Sequence, residues 1–198
     1  MIRISKSEIL RKLLHLSSSI IPLSYFFIFK DQGLMMMILL FLTTISLLIE
    51  YFRYNYRGRL RNIFQKYLME ILRTKEIEGQ FTGATWMLIG FTFTVILFEF
   101  EIAVLALLFL CIGDSVAAIV GTAFPIGKIW NKSLLGSFAG IILCAIFGII
   151  INNSLSPKLI IFGAISAMFV ELIPSRINDN FSIPIFSGFT MHILKGVL

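Results

Sequence analysis

The stretch IAVLALLFLCIGDSVAAIVGTAF, residues 102–124, decides the fold. A transmembrane helix needs about 20 predominantly apolar residues, and this stretch is long enough, yet it carries Asp114 near its middle. A carboxylate there costs about 2.5–3.5 kcal/mol on insertion scales, so it normally faces a polar cavity and serves a function. The alternative is a buried carboxylate that only ties neighbouring helices together. Gly113, Ala117 and Gly121 share one helix face, which another backbone or a bulky ligand can approach closely.

The rest of the chain has the same apolar character. Of its 198 residues, 58% are hydrophobic and 14% charged, whereas a soluble domain is about 45–50% apolar and 25% charged. Six further apolar runs lie at residues 13–29, 34–51, 81–98, 134–151, 159–173 and 181–198. The sequence therefore predicts an all-α fold, a polytopic membrane bundle of about seven transmembrane helices in a single domain over residues 1–198.

One segment between the second and third runs differs from the others. Apolar residues recur at helical spacing over residues 60–72, with basic residues such as Arg61 and Lys66 on the opposite face. This pattern predicts a basic amphipathic helix lying at the membrane interface, in the headgroup plane of an anionic leaflet. The alternative is a soluble cap packed on the bundle.

The distribution of positive charge predicts the orientation. Of the 17 Lys and Arg residues, all but Lys30, Lys158 and Lys195 fall on one side of the predicted spans. Cytoplasmic loops carry the excess of Lys and Arg, so this side is predicted to be cytoplasmic, with the N-terminus. The net charge of +6 is thus a signal of topology and of lipid binding, and we expect no nucleic-acid partner.

A loop rich in phosphate-binding chemistry follows the 102–124 stretch. Lys128 and Lys132 can supply charge to phosphate oxygens, and Gly136 permits close backbone approach. Ser133 and Ser137 flank the predicted start of the next helix, where free N–H groups favour an anion. We therefore expect these five residues to bind a phosphate group.

Two further polar clusters are predicted at the same face. Glu171, Asp179 and Asn180 follow the sixth run and offer hard oxygen ligands of the kind that hold Mg²⁺ beside a nucleotide; the alternative is a solvated turn. The entrance to the first run carries the charged or polar residues Glu8, Arg11, Lys12 and His15. His15 alone is equally compatible with an ordinary interfacial histidine.

Taken in order, these residues resemble the CTP-dependent polyprenol kinase family, which includes dolichol and phytol kinases and a CTP-dependent diacylglycerol kinase. The resemblance covers essentially the whole chain, and Pro125 and Ile126 depart from it. The residues that carry it are Glu8-x-x-Arg11-Lys12-x-x-His15, Gly113-Asp114-x-x-Ala117, Lys132-Ser133-x-x-Gly136-Ser137, Glu171 and Asp179-Asn180.

The resemblance implies transfer of the γ-phosphate of CTP to the hydroxyl of a lipid alcohol, with Mg²⁺ as cofactor. Asp114 and Asp179 would bind Mg²⁺ with help from Glu171, and one of the two aspartates, rather than His15, would accept the hydroxyl proton. The lipid tail is expected against the small-residue face of residues 102–124. The implied nucleotide-binding residues are Lys128, Lys132, Ser133, Gly136, Ser137, Arg11, Lys12 and Asn180, with Lys132 also catalytic; Glu8 and Ser115 are further candidates.

Two other functions use similar residues. A phosphatidate cytidylyltransferase, to which this family is similar, needs the same Mg²⁺ and lysines. A membrane transporter would also place Asp114 within the bilayer between broken helices, although the polar residues here crowd one face. Gly136-x-x-x-Gly140 could pack helices within one chain or between two, which leaves a homodimer open.

Overall fold

The computed structural model describes residues 6–55, 74–77, 79–175 and 177–197. Its first half contains α1 (Lys6–Ser17), α2 (Ile20–Ser24), a π-helical turn (Tyr25–Phe29), α3 (Gln32–Asn55), α4 (Thr74–Ile77) and α5 (Gly83–Leu97). Its second half contains α6 (Phe100–Leu108), a second π-helical turn (Phe109–Asp114), α7 (Ser115–Ala123), β1 (Lys128–Ile129), β2 (Lys132–Ser133), α8 (Leu134–Ile151), α9 (Pro157–Leu172) and α10 (Asp179–Leu194). The predicted interfacial helix at residues 60–72 and Arg176 lie outside the described residues.

The helical prediction is confirmed, and within the described ranges four helical stretches are long and apolar enough to cross a membrane. They are Ser7–Phe29, Gln32–Asn55, Phe100–Ala123 and Leu134–Ile151. The other predicted spans also form helices, but α5 has 15 residues and α9 and α10 have 16 each. The count of seven spans therefore stays a prediction.

The Phe100–Ala123 stretch lies at the centre of the bundle. In its apolar window 83% of the residues are buried inside the protein, against 28% or less for the other three long stretches. The outer helices expose large apolar side chains, among them Phe27, Phe41, Phe138 and Phe169. Such a surface is unfavourable in water and suits a lipid environment, so the chain is a helical membrane protein.

The small residues of the central stretch let it pack closely on α8 and its cap. A side chain at Gly121 would come within 3.1 Å of Ser133, and one at Gly113 within 2.9 Å of Cys144. Gly136 in turn packs on Gly121, and Gly140 lies beside the carbonyl of Gly113. The close approach of α7 and the π-helical turn to α8 therefore uses this face, and Gly136-x-x-x-Gly140 makes its contacts within one chain.

Two proline positions shape the helices that border the site. The break between α1 and α2 falls at Ser18 and Ser19, because the ring of Pro22 crowds the carbonyl of the residue four positions earlier. Pro184 lies inside the last apolar run, and α10 is continuous through it. The carbonyl of Asn180, which Pro184 cannot bond, lies against Gly90 of α5, where the missing side chain leaves room.

An all-α fold has no strands, but the loop before α8 contains a short pair of them. Lys128 pairs with Ser133, and Ile129 with Lys132, in a short antiparallel hairpin. Trp130 at its turn has a φ of 53°. Ser133 then caps α8, since its side chain accepts a hydrogen bond from the backbone N–H of Gly136. The start of this helix was predicted correctly, whereas the hairpin was not predicted.

Candidate functional site

A cavity of about 610 Å³ lies at one end of the bundle, where the predicted polar clusters meet. The chain reverses direction from α5 through α10, so the start of α5, the ends of α7 and α9, and the start of α10 share this end with α1. Of the predicted site residues, the cavity is lined by Glu8, Arg11, Lys12, His15, Asp114, Lys128, Lys132, Ser133, Glu171, Asp179 and Asn180. Segments far apart in sequence therefore form one site.

The first ionic group joins α1 to the central stretch. Lys12 Nζ donates to Asp114 Oδ2 at 2.7 Å, and both side chains are almost completely buried. His15 Nε2 lies 3.8 Å from the same carboxylate oxygen. Ser115 does not line the cavity; its hydroxyl donates to the backbone carbonyl of Lys12 at 3.4 Å. The charge of Asp114 within the bundle is thus balanced by a lysine from the N-terminal helix.

Asn180 fixes the orientation of His15. The Asn180 Nδ2 donates to the Gly83 carbonyl at 2.7 Å, and its Oδ1 lies 3.0 Å from His15 Nε2. Because a backbone carbonyl can only accept, the amide nitrogen must face Gly83 and the oxygen must face the histidine. His15 Nε2 therefore carries a proton. One asparagine side chain connects α1, α5 and α10 at the cavity.

The second ionic group is centred on Lys132. Its Nζ lies 2.8 Å from Asp179 Oδ2 and 3.1 Å from Glu171 Oε1, and it also donates to the Glu171 backbone carbonyl. Burial alone would lower the pKa of Lys132, but the two carboxylates outweigh it and hold that pKa above its ordinary value. Lys132 is therefore a fixed positive charge at neutral pH.

Gly136 and Ser137, which we expected at the phosphate site, lie behind the cavity wall. Gly136 packs against α7. Ser137 is buried and its hydroxyl donates to Glu171 Oε2 at 3.0 Å, so it fixes the carboxylate that faces Lys132. Lys128, by contrast, is exposed at the rim.

Several lining residues had no signal in the sequence. Thr82, Gly83, Ala84 and Met87 belong to the apolar run 81–98, and Glu76 lies in the segment leading into it. Glu76 is buried and its Oε1 accepts from the Gly83 N–H at 2.9 Å. The buried position of Glu76 could have been suspected only from its place between a predicted interfacial helix and a predicted span.

The donor set of the cavity fits Mg²⁺. Asp114, Glu171 and Asp179 supply carboxylate oxygens to one cavity, and Mg²⁺ is usually bound by one or two carboxylates together with substrate phosphates and water. Within the described part of the chain, no three His, Cys, Asp or Glu side chains form a ready metal cluster. The carboxylates pair with lysines instead, so a Mg²⁺–phosphate ligand would exchange partners with these ion pairs.

The chain resembles two curated proteins. It is 32% identical over 183 residues to an uncharacterized protein of Rickettsia prowazekii, covering 88% of both chains. It is 28% identical over 153 residues to the CTP-dependent diacylglycerol kinase 1 of Eremothecium gossypii, a match that covers 63% of this chain and 47% of that kinase. The match thus spans about half the length of the kinase. No family model and no solved structure matches the chain.

The two matches differ in how much of each chain they cover. The kinase match is more distant and partial, and is a likeness to part of a longer protein. The first match covers 88% of both proteins. The chain therefore belongs to the family of the uncharacterized Rickettsia prowazekii protein.

Proposed function

We propose that this protein is a CTP-dependent lipid kinase, which transfers the γ-phosphate of CTP to the hydroxyl of a polyprenol, a phytol-like isoprenoid or a diacylglycerol. The observation that carries the proposal is the pair of lysine–carboxylate groups facing one cavity at the end of the bundle, Lys12–Asp114 and Lys132–Glu171–Asp179. The distant similarity to a CTP-dependent diacylglycerol kinase supports the same chemistry. The cytoplasmic position of the cavity is part of the proposal.

The basic residues of the cavity would hold the triphosphate. Lys132 is a fixed charge, and Lys128 at the rim and Arg11 on α1 add two more cations. Ser133 begins α8, whose first N–H groups and positive dipole end favour a phosphate oxygen. Most of the catalytic effect would then come from positioning and charge neutralisation, as in other phosphoryl transfers.

The carboxylates would have two separate tasks. Asp114 and Asp179, with Glu171, would hold Mg²⁺, which neutralises charge on the phosphates when bound. One of the two aspartates would also accept a proton. When CTP binds, Lys12 and Lys132 would turn from the carboxylates to the phosphates. Mg²⁺ would replace the lysines on the carboxylates, and opposite charges attract strongly in a low-dielectric cavity.

The reaction balances without another reactant. The hydroxyl oxygen of the lipid forms a bond to the γ-phosphorus of CTP, and the bond between that phosphorus and the β-phosphate oxygen breaks. CDP leaves with the bonding electron pair, and the hydroxyl proton passes to the carboxylate of Asp114 or Asp179. The products are a lipid phosphate and CDP.

The proposal is tested by labelling CTP at one phosphate at a time. The purified protein in detergent receives Mg²⁺, a panel of lipid alcohols and phosphatidate, and CTP labelled at the γ- or the α-phosphate. We expect label to enter a lipid alcohol from the γ position only. Label entering phosphatidate from the α position would identify a cytidylyltransferase, and no transfer by folded protein would favour the transporter.

A further inference from the structure

The cavity has an apolar arm that the ion pairs do not occupy. We define the arm by Leu14, Ser17 and Ser18 of α1 and its neighbouring turn, and by Ala84 and Met87 of α5. The hydroxyls of Ser17 and Ser18 both donate to the Leu14 carbonyl, at 2.8 and 2.9 Å. Because these two hydroxyl protons are already donated to the backbone, they are not available to a phosphate. The surface that the arm presents is therefore mainly apolar.

The arm runs from the ionic groups toward the interior of the membrane. Ser18 lies six residues beyond Lys12, about 9 Å along a helix that rises 1.5 Å per residue. Met87 lies one turn beyond Gly83 on α5. Both Lys12 and Ser18 belong to the membrane-crossing stretch Ser7–Phe29. The cavity therefore joins a charged end to an apolar end at greater depth.

The arm is open to lipid on the α1 side. Leu14 is 49% exposed, Leu13 on the same helix is 55% exposed, and Ala84 is exposed on α5. The side of α1 that packs on protein is the one facing α7 and the π-helical turn, where Lys12 reaches Asp114. A hydrocarbon chain could thus pass from the bilayer into the arm without crossing the ionic groups.

The small-residue face expected to hold the lipid tail meets the cavity only in part. Gly113 packs against Met168 and Cys144, whereas Ala117 and Gly121 line the cavity. Ala117 is buried and Gly121 is partly buried, so this side of the cavity is less open to lipid than the arm. Of the lining residues, those of the arm combine apolar chemistry, exposure and continuity with the ionic groups.

We infer that the apolar arm binds the hydrocarbon chain of the acceptor lipid and presents its hydroxyl to Asp114. This inference rests on the proposed function. The occupant is a lipid alcohol, because the arm is apolar and ends beside a carboxylate, whereas the phosphates of CTP belong with Lys128 and Lys132. Residues 84 and 17 then determine how bulky a chain is accepted.

Filling the arm tests the inference. Ala84→Phe and Ser17→Phe should each raise the KM for a long-chain lipid alcohol about tenfold, a common penalty for a misfitted apolar pocket, and leave the KM for CTP within about twofold. Leu16→Phe places the same ring on α1 outside the cavity lining and should change neither value. Transfer with wild-type KM for the lipid in both arm variants would overturn the inference.

A second measurement does not depend on turnover. The protein in liposomes is irradiated with a diacylglycerol and an isoprenoid alcohol that carry a diazirine in the chain, and adducts are mapped by mass spectrometry. Adducts within residues 14–18 or 84–87 that disappear in Ala84→Phe support the arm, even if the wild type transfers no label. Adducts confined to outward-facing side chains such as Phe138 and Ile150 would overturn it, even if kinase activity is present.

Discussion

Two kinds of ionic group lie near the same end of this bundle, and they are built differently. Glu50 and Arg53 of α3 form the first kind, which does not itself line the cavity. The Glu50 carboxylate receives Arg53 Nη2 at 2.6 Å, Thr85 Oγ1 at 2.9 Å and the Thr82 N–H at 2.8 Å. Arg53 also donates to the carbonyl of Gln80 at 2.7 Å. Both side chains are tied to backbone as well as to each other.

The groups that face the cavity have lysine as the cation. Lys12 reaches Asp114 across two elements, and Lys132 is shared between Asp179 and Glu171. A lysine is a flexible point charge that can change partners, whereas an arginine fork is set in one geometry. Asp179 remains about one-third exposed in this arrangement.

The arginine pair and the lysine pairs have the properties expected of a structural and of a ligand-binding group, respectively. A buried ion pair whose hydrogen-bonding capacity is used by backbone and hydroxyls stabilises one conformation. Lysine–carboxylate pairs in an accessible cavity keep charges in place until a ligand takes them over. We therefore assign Glu50–Arg53 to the fold, since it holds the segment that carries Thr82 into the cavity wall, and the lysine groups to the proposed activity.

The largest expected effect concerns Asp114. Asp114→Asn keeps the shape of the side chain but removes the charge, and we expect lipid phosphorylation to fall about thousandfold, the scale of losing one preorganised electrostatic contact in an active site. Because Lys12 then loses its charged partner, thermal unfolding in detergent is measured alongside to show that the variant is still folded at the assay temperature. Asp31→Asn, the same change at the cap of α3, is the control and should be fully active. Full activity of Asp114→Asn would contradict the assignment.

The next largest effect concerns the Glu50–Arg53 ion pair. Glu50→Ala should destabilise the protein by about 3 kcal/mol, because it leaves Arg53 buried without its carboxylate. Thermal unfolding in detergent measures this. Glu99→Ala removes the Glu99–Lys195 pair, whose side chains are each 41% exposed, and should cost less than about 1 kcal/mol. Equal losses in the two variants would contradict a structural role for the buried Glu50–Arg53 pair.

The smallest effect compares two lysines of the hairpin. Lys132→Met should lower kcat/KM for CTP about a hundredfold, and Lys128→Met about tenfold, since each tenfold step is about 1.4 kcal/mol and Lys128 is exposed at the rim. Lys158→Met, in the first turn of α9 at the opposite end of the bundle, should have no effect. A Lys128 variant as impaired as the Lys132 variant would mean that the rim, rather than the buried group, holds the triphosphate.

Much of the site could be predicted because charges in an apolar chain are conspicuous. Asp114 stood out from its neighbours, and the clusters around Lys12, Lys132 and Asp179 were each visible as polar breaks beside apolar runs. The lining residues Ala84 and Met87 could not be found this way, because an apolar residue on a lipid face and one in a cavity have the same pattern. Ser137 was expected at phosphate but supports Glu171 instead.

The helical, membrane-spanning character of this protein and the residue types available for chemistry follow from its amino-acid order, since the cost of exposing backbone and charge to lipid leaves few alternatives. Which charges meet depends on the packing of the helices. The pairing of Lys12 with Asp114 spans 102 positions of the chain, and that of Lys132 with Asp179 spans 47. Such contacts depend on how helices pack and cross, which local periodicity does not specify.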